Sequence, residues 1–395
     1  MNAAVYREEM RKELHSILQY WMLNTPDEKQ GGFIGRIDGN DRPHPEAPKG
    51  LVLTSRILWT FSAAWRHTGI WIYRPVADRA YDYLIKHFLD LSSGGFYWSV
   101  EAGGRPLNTR KQIYGQAFAL YGCSEYYRAT GDQAVLDHAI TLYRAIEEHS
   151  FDPVQGGYFE AFDRDWKPLE DLRLSEKDVN AEKTMNTHLH VLEAYTTLYV
   201  VWPDARLRER IRQLLAVFRD RIIDKTTGHL RLFFTPDWQS TSALISYGHD
   251  IEAAWLLHEA ALTIEDEDWI DTTRDICLKI ADRTIDGLDE DGGLWYERES
   301  GHLVREKHWW PQAEAMVGFL RAWTISGDPR WLALSAGVWE FVKKYLRDPQ
   351  GKEWYWGVDA GHRPMSGQDK AGFWKCPYHN SRACLQIIHS LKKIP

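Results

Sequence analysis

The run KTMNTHLHVLEAYTTL at 183–198 has the apolar spacing of a helix, yet it carries Asn186, His188, His190 and Glu193. At about 100° per residue, Asn186, His190, Glu193 and Thr197 stand at i, i+4, i+7 and i+11 and share one narrow face. A helix wetted by bulk water shows a broad Lys and Glu face; this one shows a thin stripe of amide, imidazole, carboxylate and hydroxyl. Such a stripe suits proton transfer in a cavity, and equally a solvated face or a polar network that satisfies itself inside a core.

Groups of the same kind recur along the chain. TSRILWTF offers Arg56, RKQIYGQAFALYG offers Tyr114, and SYGHDIEAAWLL sets His249 and Glu252 at i and i+3, where a carboxylate can orient an imidazole. KHWWPQAEA adds Trp309, Trp310 and Glu314. FWKCPYHNSR adds Trp374 and His379 in a segment read as a loop leading to the last helix, with Ser381 as its N-cap. Isolated histidines such as His15, His138 and His258 are read as surface or core filler.

Imidazoles, in place of a carboxylate pair, point to a reaction class. Glycoside hydrolysis needs two carboxyl groups across the scissile bond. Moving a proton on carbon next to a carbonyl needs a base poised near neutral pH and donors for the enediolate oxygen. His190, His249 and His379 suit the second task, with Arg56, Tyr114 and Asn186 as donors and Trp309 or Trp310 and Trp374 as platforms for sugar rings. A hydrolase reading would draw on Glu176, Glu252 and Glu314. No metal is expected: His188 and His190 diverge by about 200° on a helix, HExxH is absent, and His249 with Glu252 lacks an evident third ligand. No phosphate-binding glycine loop or nucleophile elbow is present, so no cofactor is expected.

The elements that position these groups form a repeat. GGFIGRID at 31, GGFYWSV at 94, GGYFEAF at 156, GHLRLFF at 228, GGLWYER at 292 and GKEWYWGVD at 351 recur at intervals of 63, 62, 72, 64 and 59 residues. Each reads as a turn into a short strand or hairpin, and two amphipathic helices lie between signatures, for example at 54–66 and 75–90, then 112–130 and 133–148. Six such units predict an all-α fold, an (α/α)6 barrel with short β-hairpins at one end, as one catalytic domain over 1–395. Its inner helices touch solvent only at the lumen, so the polar stripe should face that lumen. The longest interval holds a charged insertion at 165–184, expected to form a flap over the mouth.

With 44% hydrophobic residues, 26% charged residues and a net charge of −8, the chain has the balance of a soluble globular protein without the basic stripe that nucleic acid requires. The 19 Trp call for a role in packing and in sugar stacking. Four cysteines lack CxxC spacing and no apolar run reaches a membrane span, so a cytoplasmic monomer acting on a small sugar, with no nucleic-acid or membrane partner, is expected.

GGFIGRID, TSRILWTFS, RKQIYGQAFALYG, LRLSEKD, KTMNTHLHVLEAYT, YGHDIEAAWLL, HWWPQAEA and FWKCPYHNSRAC, in this order, resemble the N-acylglucosamine 2-epimerase superfamily and within it the cellobiose 2-epimerases. The resemblance implies an (α/α)6 barrel and cofactor-free interconversion of glucose and mannose configurations at C2 of a reducing-end residue, with free mannose and glucose as the alternative substrates. It also implies that His249 and His379 are acid and base and that His190 is essential. Arg56, Tyr114, Asn186, Glu252, Trp310 (or Trp309) and Trp374 then fall on substrate-contacting positions.

Overall fold

The computed structural model describes residues 2–350 and 353–392; Gly351 and Lys352, which open the sixth signature, and residues 1 and 393–395 lie outside them. The described residues include twelve α-helices. Six form an inner ring: α2 (Leu51–Thr68), α4 (Ile113–Thr130), α6 (Met185–Val201), α8 (Tyr247–Thr263), α10 (Trp309–Ser326) and α12 (Tyr378–Leu391). Each packs on the next, and α12 packs on α2, which closes the ring. The outer helices are α1 (Ala3–Asn24), α3 (Arg74–Tyr83), α5 (Gln133–His149), α7 (Ala205–Val217), α9 (Glu267–Thr284) and α11 (Pro329–Phe341). Along the chain α3 backs α2, α5 backs α4 and so on, while α1 backs α12. This is an (α/α)6 barrel, and the sixth unit is assembled from the two ends of the chain.

Burial follows from this layering. Every residue of α2 from Leu51 to Ala64 is buried, because neighbours cover the helix on all sides. The outer α5 buries only a stripe, including Val135, Leu136, Ala139, Leu142 and Ile146, at helical spacing. Part of the tryptophan surplus serves the closure. The indole N–H of Trp354 donates to Glu13 at 2.7 Å and that of Trp339 to Glu9 at 2.5 Å, both on α1, and the α1 residue Trp21 donates to Glu353 at 2.5 Å. Each indole contributes a large apolar face and a donor that ties first helix to last unit.

The glycine signatures are tight turns, each closed by an antiparallel bridge: Pro26 with Phe33, Leu89 with Phe96, Phe151 with Tyr158, Ile223 with Leu230, Leu288 with Leu294 and Arg347 with Trp354. Two side-chain devices hold a turn to the start of an inner helix. First, the fourth residue of the helix binds the signature strand: Gln116 accepts from the backbone N–H of Phe96, His188 from Tyr158, Asp250 from Leu230 and Gln312 from Leu294. His188 is thereby a structural acceptor, and its Nδ1 lies 2.6 Å from the Thr184 carbonyl. Gly157 has φ +81°, and a Cβ there would meet His188 Nε2 at 2.5 Å, so only glycine lets the turn approach this close. Second, a buried lysine two residues before the helix reaches an aspartate of the turn: Lys49 to Asp27 at 2.8 Å, Lys111 to Asp90 at 3.0 Å, Lys183 to Asp152 at 2.7 Å and Lys307 to Asp289 at 2.7 Å. The fourth unit has Ile245 at this position and no such tie.

Lys183 Nζ also donates to the carbonyls of Gly156 and Pro236. Replacing Lys183 by Met orphans three acceptors, one of them charged and nearly buried. We expect Lys183→Met to lose about 3–5 kcal/mol, read as a lower urea midpoint with an unchanged slope.

Candidate active site

The N-terminal turns of the six inner helices surround a cavity of about 630 Å³, and all ten residues singled out from the sequence line it. The second and sixth positions of these helices supply most of them, because i and i+4 share a face. Tyr114, Asn186, Trp310 and His379 are second residues of α4, α6, α10 and α12; Arg56, His190 and Glu252 are sixth residues of α2, α6 and α8. His249 follows at position three of α8, Trp309 opens α10, and Trp374 lies just ahead of α12. The insertion does reach the cavity: residues 172–179 line it.

Each of three imidazoles is anchored through Nδ1. His190 Nδ1 lies 2.9 Å from Glu193 Oε2, His379 Nδ1 lies 2.7 Å from Glu314 Oε1, and His249 Nδ1 lies 2.8 Å from Ser246 Oγ. None of the three Nε2 atoms bonds another described side chain, so each is left to the cavity. The expectation that Glu252 orients His249 is thus corrected. Glu252 turns instead to Arg382, and a serine one residue ahead of α8 takes the orienting role. The reading of His379 as a loop residue with Ser381 as N-cap is also corrected. Helix α12 starts at Tyr378 behind Pro377, whose missing N–H costs nothing at a helix start, and Ser381 is buried within it.

Two further features define the walls. Arg56 Nη2 donates to the Tyr114 hydroxyl at 2.7 Å, with its guanidinium 4.1 Å from the Phe118 ring centroid. Trp310 leans on His249 at 4.7 Å and on His379 at 5.8 Å, and Trp309 packs on Trp356 at 4.6 Å. Asn186 Oδ1, Arg56 Nε and Trp309 Nε1 are buried without a partner among the described residues.

Beneath the imidazoles lies a charge cluster that the sequence reading missed as a unit. Arg382 donates from Nη2 to Glu252 at 2.6 Å and to Glu314 at 2.7 Å, and from Nη1 to Glu193 and to the Tyr378 hydroxyl. Tyr378 in turn donates to Glu193 at 2.5 Å. His379, Glu252 and Glu314 bring ligand atoms within 4.8 Å of one another, the spacing of a metal site. The guanidinium bridges the two carboxylates there and supplies them with a positive charge. The sequence signal for Arg382 was its position, three residues after His379 on the same helix face.

Burial sets the protonation pattern. It pushes His249 down to about 3, aided by the neighbouring His190, and pushes His379 well below the usual imidazole range, with Arg56 and Arg382 adding to the effect. His190 is lowered by burial against the pull of Glu193. All three are therefore neutral near pH 7 and able to accept a proton. Burial and the charge of Glu314 push Glu252 up to about 8, whereas at Glu193 the guanidinium of Arg382 and the imidazole of His190 overcome burial and hold it down to about 2.

A histidine with a lowered folded value binds protons more readily in the unfolded chain. Between about pH 6.5 and the lowered value the unfolded state takes up more protons, and stability falls as pH is lowered. We expect denaturant unfolding to show this loss between pH 7 and pH 5, and His249→Asn to reduce it by about 2 kcal/mol, since that residue no longer titrates.

The family model of N-acylglucosamine 2-epimerase (GlcNAc 2-epimerase) matches residues 32–383. The chain is 49% identical over 387 residues to the cellobiose 2-epimerase of Bacteroides fragilis, spanning 97% of this chain and 99% of that protein. It is 42% identical to the cellobiose 2-epimerase of Dictyoglomus turgidum, over 98% of this chain and 99% of the other. The structure of cellobiose 2-epimerase from Bacillus thermoamylovorans superposes with a TM-score of 0.93 at 40% identity, over 98% of this chain and 99% of that one. A family match over most of the barrel, relatives aligned almost end to end and a shared fold lead to one conclusion: the chain belongs to the N-acylglucosamine 2-epimerase family.

Proposed function

We propose that the chain is a carbohydrate 2-epimerase that interconverts glucose and mannose configurations at C2 of the reducing-end residue of cellobiose and related β-1,4-disaccharides. The observation that carries this reading is the set of three neutral imidazoles, each anchored at Nδ1 with Nε2 left to one cavity. The similarity to cellobiose 2-epimerases supports the substrate class, and a cavity of about 630 Å³ bordered by the 172–179 segment is of a size to take two sugar residues.

The proposed reaction opens the sugar ring, removes the C2 proton to histidine, passes through a cis-enediolate and returns a proton to the opposite face. His249 and His379 take the base and acid parts, with His190 completing the set. Arg56 and Tyr114 donate to the enediolate oxygens, where charge develops. Opposite faces call for a second acid or a rotation about the C2–C3 bond of the intermediate, and the imidazoles stand on α6, α8 and α12 around the ring. No metal or cofactor enters this scheme. A hydrolase reading is disfavoured because Glu252 and Glu314 share one guanidinium nitrogen and Glu314 does not line the cavity.

The test is incubation of EDTA-treated protein with cellobiose and separately with mannose, followed by chromatography and mass spectrometry. We expect the glucosyl-mannose epimer at unchanged mass, a trace of the 2-ketose, and faster turnover of the disaccharide. His190→Asn, His249→Asn and His379→Asn should each lower kcat by about 10²–10⁴-fold. Glucose release from cellobiose would refute the proposal.

A further inference from the structure

A second cavity of about 250 Å³ lies at the far end of the barrel, among the C-terminal halves of the inner helices. Its rim includes the exposed Val200 and His389, and its inner wall includes Glu193 and Arg382. The polar stripe of α6 links the two ends: Asn186 and His190 line the first cavity, Glu193 and Thr197 the second. Glu193 is the partition, since its Oε2 meets His190 Nδ1 at 2.9 Å while its Oε1 accepts from Tyr378 and Arg382.

We propose that the far cavity is a proton port for the catalytic histidine His190, connecting it to bulk water through Glu193 while substrate fills the other end. This rests on the epimerase reading for its use in turnover, and on the geometry alone for its existence. The proton balance is simple. When His190 Nε2 takes the anomeric hydroxyl proton in the ring-opening step it becomes an imidazolium; the Nδ1 proton passes to Glu193 and then to water in the far cavity, which restores a neutral ring in the other tautomer. In the reverse direction Nδ1 regains a proton from Glu193 as Nε2 delivers its own. Neither step needs the mouth near residues 172–179 to open. Glu193, held ionised by Arg382 at neutral pH, keeps the proton only transiently, as a relay requires.

The experiment reads exchange of the His190 Nδ1 proton with water by NMR in protein carrying ¹⁵N-histidine, assigned with His190→Asn, with and without cellobiitol filling the catalytic cavity. Thr197→Trp, in the wall of the far cavity, and Val200→Trp, at its rim, plug the port. We expect exchange to persist with cellobiitol bound, to slow severalfold in either variant, and kcat on cellobiose to fall with KM unchanged. The port is overturned if cellobiitol stops the exchange in the unmodified protein, if exchange is unaltered in both variants, or if it slows while kcat stays the same. Should Thr197→Trp fail to fold, Val200→Trp decides alone. If no epimer forms from cellobiose, it is the functional reading that fails, and the exchange data still judge the port.

Discussion

The cavity end of this barrel depends on one guanidinium. Arg382 stands between Glu193, Glu252 and Glu314, all buried, and two of these carboxylates hold the Nδ1 atoms of His190 and His379. Three carboxyl groups against one fixed cation cannot all stay ionised without water. The strain resolves unequally: Glu193, beside Arg382 and His190, remains charged, and Glu252, facing Glu314, retains its proton to about pH 8. The cluster thus fixes the ring orientations and the resting charge beneath the cavity in one arrangement.

Everything else in the fold serves to bring six helix starts to that cluster. Signature turns pin helix starts through a lysine tie, a fourth-position acceptor or both, and α1 closes the circle by backing α12. The same turn that fixes α6 explains its two histidines. His188 looks outward to the backbone of Tyr158, and His190, about 200° away, looks inward. One helix therefore carries, two residues apart, a structural imidazole and one that faces the cavity.

Much of this was legible in the sequence, for physical reasons. A glycine that must adopt positive φ leaves a visible mark, as in the first five signatures, and the recurrence of that mark disclosed the repeat. A polar stripe on a helix otherwise buried marks a lumen, so the positions of Asn186, His190 and Arg56 around one cavity followed from spacing. Partners from distant segments were not legible. Nothing in the sequence near Arg382 says that it meets Glu193, 189 residues away, or Glu252, 130 residues away. The nearest carboxylate in sequence misled at His249, where Glu252 has the right spacing but a stronger claim from Arg382 leaves Ser246 as the partner. At α12 the serine had the chemistry of a cap, yet the helix starts earlier, with Pro377 at the N-cap and Ser381 buried within it.

The central claim is that neutral, anchored imidazoles exchange a proton on carbon. The most direct measurement is NMR of cellobiose incubated with the protein in D₂O, following C2 of the reducing residue and the glycosidic bond together. Deuterium at C2 of an intact disaccharide in both configurations is expected. Cleavage of the glycosidic bond without exchange at C2 would contradict it.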